Sequence, residues 1–167
     1  FLRSARPWPN YMPDYRPLIE FARVRQWRVI ASNTPRPIAV QVSREGLGAA
    51  RPDSESERKL VASEISCPLD DYFKRFAETM SKGHPGAHQK SGEEKQTDKK
   101  QEEERRHALE GFFHAQCVKD ETMAESIANA LGAPGPQSNA QGGPLVVHFN
   151  GAFHSDYRVG GASRAIR

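Results

Sequence analysis

Short β-branched apolar stretches alternate with helical patterns along this chain, and the alternation predicts an α/β domain. The expected architecture is a mainly parallel sheet flanked by helices, incomplete at both ends. WRVIAS (27–32) and PLVVHFN (144–150) are compact runs of the kind that fill buried strands. The residues between them carry apolar side chains at helical spacing. Each run ends in turn-forming residues, Asn33-Thr34-Pro35 after the first and Asn150-Gly151 after the second. Two strands make a poor sheet, so the chain is expected to be a piece of a longer one. Its opening FLRSARPWPNY and its close GGASRAIR, which reads as the first turns of a helix, agree with that.

The elements follow in order. Pro13-Asp14-Tyr15-Arg16-Pro17 is a helix entry, with Asp14 able to cap free N–H groups and Pro17 acceptable in a first turn. Leu18, Ile19 and Ala22 continue it. PIAVQVSRE starts a second helix at Pro37, places Ile38 and Val42 on one face and stops at Gly46. A short helix fits 54–62. Asp70 caps the next, whose apolar stripe is Tyr72, Phe73, Phe76, Ala77 and Met80. Residues 83–106 form a polar insertion with nearly cancelling charges and no large apolar anchor, read as a mobile loop whose later part is helical. HALEGFFHAQCVKDETMAESIANAL is the strongest helix and stops at Gly132, and APGPQSNAQGG is a flexible connection. All 167 residues are read as one partial domain that contains the insertion.

Composition narrows the function. Hydrophobic residues make up 37% and charged residues 27%, with a net charge of +3. No basic stripe with interleaved aromatics appears, which sets nucleic acid aside as a partner. Cys67 and Cys117 lie far apart without CxxC spacing and read as separate small buried residues, not as a disulfide framework or a zinc site. No run approaches the ~18 apolar residues of a membrane span, so a membrane enters only through an anchor outside these residues.

In a parallel sheet the ligand site lies beyond the carboxyl ends of the strands. Strand 27–32 would deliver Asn33 and Arg36 to that edge, and strand 144–150 would deliver His154, Asp156 and Tyr157. The long helix adds a stripe of Phe113, Gln116, Asp120, Met123, Ile127 and Leu131, apolar except at Gln116 and Asp120. A carboxylate on a buried face costs several kcal/mol unless it is paired or ligated. Asp120 is therefore expected to have a partner: a cation, an Arg or a His. Arg36, Asp120 and the His154–Tyr157 turn are expected to gather around a common hollow. Each has a plainer reading: His154 bonding a carbonyl, Asp120 bridging to Arg36, Tyr157 packing its ring. His84 and His88 have metal-like spacing in a Gly- and Pro-containing loop that will not hold it. His107 and His114 read as surface residues, and His148 as a core histidine.

Four blocks, YMPDYRPLIEFAR, VIASNTPRPIAVQVSREG, AQCVKDETMAESIANAL and VVHFNGAFHSDYRVG, resemble in that order the ChaN-like haem-binding uptake family. That family shares a superfamily with the Tiki proteins and erythromycin esterase-like hydrolases. The resemblance implies an α/β protein of bacterial haem or iron uptake that binds haem at the carboxyl edge of its sheet, without turnover. It further implies an exported, periplasmic or lipid-anchored location and leaves a homodimer open. Gly151-Ala152-Phe153-His154 matches the superfamily's Gly-x-x-His block, while the amino-terminal Gly-Glu-x-x-His partner block is not among these residues. Tyrosine is the ligand type associated with the family. Tyr157, beside the matched histidine, is the first candidate and Tyr15 the second, with Asn33 also at the rim. Arg36 would lower the pKa of the phenol or pair with a propionate, and Phe153, Met12 or Trp8 would form a flat wall. The alternative is a metal-dependent hydrolase in which His154, Asp120 and an upstream Glu and His hold a divalent ion. No G-x-S-x-G nucleophile elbow accompanies that reading, and a purely structural remnant is the third.

Overall fold

The computed structural model describes residues 9–51, 54–82, 99–132, 144–156 and 160–164. They divide into two compact units, Phe1–Ala31 and Ser32–Arg167.

In the first unit a π-helical turn, Tyr11–Tyr15, runs into α1, Arg16–Val24. Pro17 sits in the first turn as expected, but Asp14 lies inside the π-turn and does not cap α1. Phe21 meets Trp27 edge to face at 5.5 Å, and the Arg25 guanidinium lies 4.3 Å above the Phe21 ring. Neither the turn nor α1 contains a buried residue.

The second unit is built around one long helix. α2 is Arg36–Glu45, α3 is Glu55–Arg58, α4 is Asp71–Lys82, α5 is Lys99–Gly132 and α6 is Gly161–Arg164, with single 3-10 turns at Leu47–Ala50 and Ala152–His154. α2 begins and ends where Pro37 and Gly46 predict, the latter at φ 86°. α3 is shorter than the 54–62 pattern suggests. Asp70 caps α4 by accepting the Tyr72 N–H at 2.9 Å. α5 starts inside the polar insertion, of which residues 83–98 lie outside the described residues, together with His84 and His88.

Two clusters form the core. Ile38, Ala39 and Val42 of α2 pack with Ala115 and Val118 of α5, joined by Ala50 and Val61. Tyr72 and Phe76 of α4 pack with Phe113 and Cys117 of α5, and Phe153 lies against them. A buried hydroxyl pair pins two loops to α5: Thr34 Oγ1 donates to Thr122 Oγ1 at 2.9 Å, and Thr122 Oγ1 accepts the Ala62 N–H at 3.1 Å.

The expected parallel sheet is not formed. Residues 27–32 and 144–150 carry no regular secondary structure, and no strand occurs among the described residues. Their apolar side chains face outward: Trp27 and Val29 are about half exposed, and Leu145 is 89% exposed. A β-branched, aromatic run measures how well a segment fits a pleated surface and does not create that surface. Without a hydrogen-bonded neighbour the run stays irregular. The described residues are helical and irregular, and an all-helical class replaces the α/β expectation.

The cysteine reading is also corrected. Cys67 and Cys117 form a disulfide, with Cα atoms 5.6 Å apart, tying the segment before α4 to the middle of α5. Spacing of 50 residues carries no local signal for such a pair.

Candidate functional site

The stripe on α5 is buried where the sequence places its polar members. Phe113 and Asp120 are fully buried, Met123 is 3% exposed and Gln116 9%. The stripe loses burial toward its end, with Ile127 half-buried and Leu131 exposed.

Asp120 has two partners, one on each oxygen. Oδ1 lies 2.7 Å from Nδ1 of His154, and Oδ2 accepts the Tyr72 hydroxyl at 2.5 Å. The phenol is available as a donor because it stays protonated: burial first, then the Asp120 charge and the hydrogen bond to it, push its pKa far above the usual tyrosine value. A carboxylate can only accept, so the contact with Asp120 calls for a proton on Nδ1 and, in the neutral ring, leaves the lone pair on Nε2. Nε2 has no hydrogen-bond partner among the described residues. Gln116 Nε2 donates to the Tyr72 hydroxyl oxygen at 3.1 Å and also stands 2.9 Å from His154 Nδ1.

Several elements hold this arrangement. Tyr72 comes from α4, Gln116 and Asp120 from α5, and His154 from the 3-10 turn at Ala152–His154. The Tyr72 ring is stacked on Phe153 at 5.8 Å and meets Phe113 edge to face at 5.3 Å. Phe153 also touches Phe76, so its ring is part of the aromatic cluster and does not stand free as a wall. The backbone at Gly160 passes directly over the His154 carbonyl: a Cβ there would lie 2.5 Å from that oxygen. α6 closes the arrangement through Arg164, whose guanidinium bonds Glu121 at 2.7 Å and lies 5.2 Å above the Tyr72 ring.

Of the residues singled out in the sequence, Asp120 and His154 meet. Arg36 stays exposed on the first turn of α2, and Asn33 is exposed in the bend before it. Burial pulls the Lys119 ammonium below its usual pKa; the Asp120 charge opposes that shift, and the Arg36 charge adds to it. His148 is half-buried, and its Nε2 lies 3.2 Å from Ser32 Oγ. Burial, then the charge of His154, lowers its pKa. Tyr15 and Met12 belong to the Phe1–Ala31 unit, Tyr15 half-buried and Met12 exposed. Tyr157 and Trp8 lie outside the described residues. His107 is exposed and His114 half-buried on α5.

Tyr72, Gln116 and Gly160 were missed as site residues. Tyr72 and Phe76 read alike as members of an apolar stripe, and only the register of α4 against α5 shows that the Tyr72 hydroxyl lands on a carboxylate.

The donor set can be weighed against the two groups the sequence raises. Metal-bound histidines almost always donate their second ring N–H to a carboxylate or carbonyl, and the His154–Asp120 pair has that form. A single imidazole of this kind could act as a donor to haem iron. A catalytic zinc ion is held by three protein ligands. No group of three or more His, Cys, Asp or Glu side chains among the described residues is placed to hold one, and both Asp120 oxygens are already engaged.

No curated protein and no solved structure matches the chain. A family model matches residues 1–164, almost the entire length, and the chain therefore belongs to the family described as haem-binding uptake, Tiki superfamily, ChaN.

Proposed function

We propose that this protein binds haem as cargo in bacterial haem or iron uptake, with His154 Nε2 as an axial ligand and Asp120 as the carboxylate that orients the ring. The observation that carries this reading is the 2.7 Å contact between His154 Nδ1 and the fully buried Asp120. A carboxylate at that nitrogen favours the tautomer with Nε2 unprotonated, the form an iron ligand needs. Asp120 acts here through the histidine and not as a metal ligand.

Tyr157 stands three residues beyond His154 in the sequence and is the second candidate ligand. Arg36, an exposed cation at the start of α2, suits a propionate, with Asn33 beside it. The Cys67–Cys117 disulfide supports an exported or lipid-anchored location, because such bonds persist in oxidising compartments.

The test is a titration of the protein with ferric haem, followed by absorbance, with His154→Ala and Tyr157→Phe alongside. A saturable haem band is expected, displaced in wavelength or abolished in His154→Ala and unchanged in Tyr157→Phe. A band altered only in Tyr157→Phe would move the ligand to the tyrosine. No saturable band in the wild type would end the haem reading.

A further inference from the structure

We infer that α1 and the residues after it lie in the plane of an anionic lipid surface, as a peripheral membrane contact. Leu18, Phe21, Val24 and Trp27 reach the acyl boundary, and arginines meet the lipid phosphates. The inference concerns the Phe1–Ala31 unit alone and is independent of the haem reading. It starts from a missing stabilisation. A nine-residue helix is marginal by itself in water and ordinarily gains stability by burying one apolar face. α1 buries no residue.

Leu18, Phe21 and Val24 recur every third residue and so share one side of the helix. All three are exposed, Val24 at 74%. Trp27 is held beside them: its N–H donates to the Ala22 carbonyl at 2.9 Å, and its ring meets Phe21 edge to face. Trp27 is exposed too, as are Met12, Val29 and Ile30. So many large apolar side chains in one short unit mark an interaction face and not the scatter of an ordinary surface.

Charge decides what covers that face. Residues 9–31 contain Arg16, Arg23, Arg25 and Arg28 against Asp14 and Glu20, with no lysine. Glu20 is already engaged by two of them: it accepts from Arg23 at 2.6 Å and lies 3.7 Å from Arg16. Arg25 stands at the edge of the apolar side, its guanidinium 4.3 Å above the Phe21 ring and 5.6 Å from the centre of the Trp27 ring. A guanidinium in that place suits a phosphate headgroup, and the rings beside it suit the depth where headgroups meet acyl chains. Aromatic and aliphatic side chains on one face with arginines around them are the pattern of helices that lie in a lipid interface. An apolar protein groove would cover the same side chains without calling for the positive charge. Lying in the plane needs no spanning run, and no helix among the described residues is long and apolar enough to cross a membrane. The sequence expectation of a membrane reached only through an anchor elsewhere is widened accordingly.

The test is sedimentation of the full chain with vesicles of phosphatidylcholine, made with and without phosphatidylglycerol. Wild type is expected to bind the phosphatidylglycerol vesicles about tenfold more tightly than the neutral ones, with a preference that fades as salt is raised. Phe21→Gln with Val24→Gln is expected to weaken binding by about tenfold or more, and Arg23→Gln with Arg25→Gln by about tenfold. Leu145→Gln with Val147→Gln alters exposed apolar residues of the other unit and should leave binding unchanged. A second readout needs no binding variant. With Trp8→Phe, Trp27 is the remaining tryptophan, and its emission should move to shorter wavelength and be quenched by brominated lipid. Circular dichroism establishes that each variant keeps its fold; where one does not, the Trp27 readout decides. Absence of binding, equal binding to both kinds of vesicle, or a Trp27 that brominated lipid does not quench overturns the inference. Equal losses in the Leu145–Val147 and Phe21–Val24 pairs do so as well, since general stickiness would explain them. A lipid-free dimer that Phe21→Gln with Val24→Gln dissociates assigns the face to a second copy, which also overturns it.

Discussion

α5 is packed from two sides by different material, and the difference shows where chemistry can sit. Against α2 the contact is aliphatic: Ile38, Ala39 and Val42 meet Ala115 and Val118. Its buried polar groups are the hydroxyls of Thr34 and Thr122, which bond each other, and close approach of the two helices is met at Gly111. Against α4 the contact is aromatic and carries polar tips: Tyr72, Phe76, Phe113 and Cys117, with Gln116, Asp120 and His154 threaded among them. Buried polar groups need partners, and each side chain of this set has at least one. The aliphatic side fixes distance, and the aromatic side fixes direction.

The sharpest way to separate the two sides is to remove the cross-link that only one of them has. The Cys67–Cys117 disulfide closes a loop of about 50 residues on the aromatic side. On the chain-entropy view, opening a loop of that length costs about 4 kcal/mol. Cys67→Ala with Cys117→Ala is expected to lower the urea midpoint accordingly, and a reductant to do the same to the wild type but not to the variant. Wild-type protein whose midpoint ignores reductant would show that the cross-link contributes nothing.

Breaking the aliphatic side takes one methyl group. A Cβ at Gly111 would lie 2.2 Å from the backbone oxygen of Ser43, and backbone cannot rotate away as a side chain can. Gly111→Ala should destabilise by about 3 kcal/mol, at the upper end of overpacking costs. The measurement is again urea unfolding, now with the haem titration repeated on the folded variant. Haem affinity close to wild type is expected, because the clash falls at Ser43 in the last turn of α2, away from Arg36 in its first turn, and the Tyr72–Asp120–His154 set lies on other elements or elsewhere on α5. A large loss of haem binding at unchanged stability would mean that the two sides are not separable.

How much of this was legible in the sequence follows from the range of each interaction. The spacing of Phe113, Gln116, Asp120 and Met123 is a property of one helix, so it marked a buried face and an acid in need of a partner. His154 was marked by a local Gly-x-x-His pattern. The partner choice was less accessible: Tyr72 and Asp120 are 48 residues apart, and nothing in either neighbourhood states their register. The disulfide escaped for the same reason. The two strand-like runs failed differently. Their composition describes a surface they would fit, and among the described residues no neighbouring strand supplies it.

The smallest expected effect concerns pH, and it distinguishes the two sides because only the aromatic one buries an ionisable hydroxyl. Burial and the Asp120 charge hold the Tyr72 proton in the folded chain well above its ordinary pKa of 10.0. The unfolded chain releases that proton near pH ~10. Above that point the unfolded state binds fewer protons than the folded one, so stability falls as pH rises. Below it this group contributes no pH dependence. The urea midpoint of the wild type is therefore expected to decline more steeply between about pH 9 and 11 than that of Tyr72→Phe, since every other tyrosine and lysine is common to both. Parallel declines would mean that the hydroxyl ionises as freely folded as unfolded. It would then not be the donor on which the orientation of Asp120, and through it His154, depends.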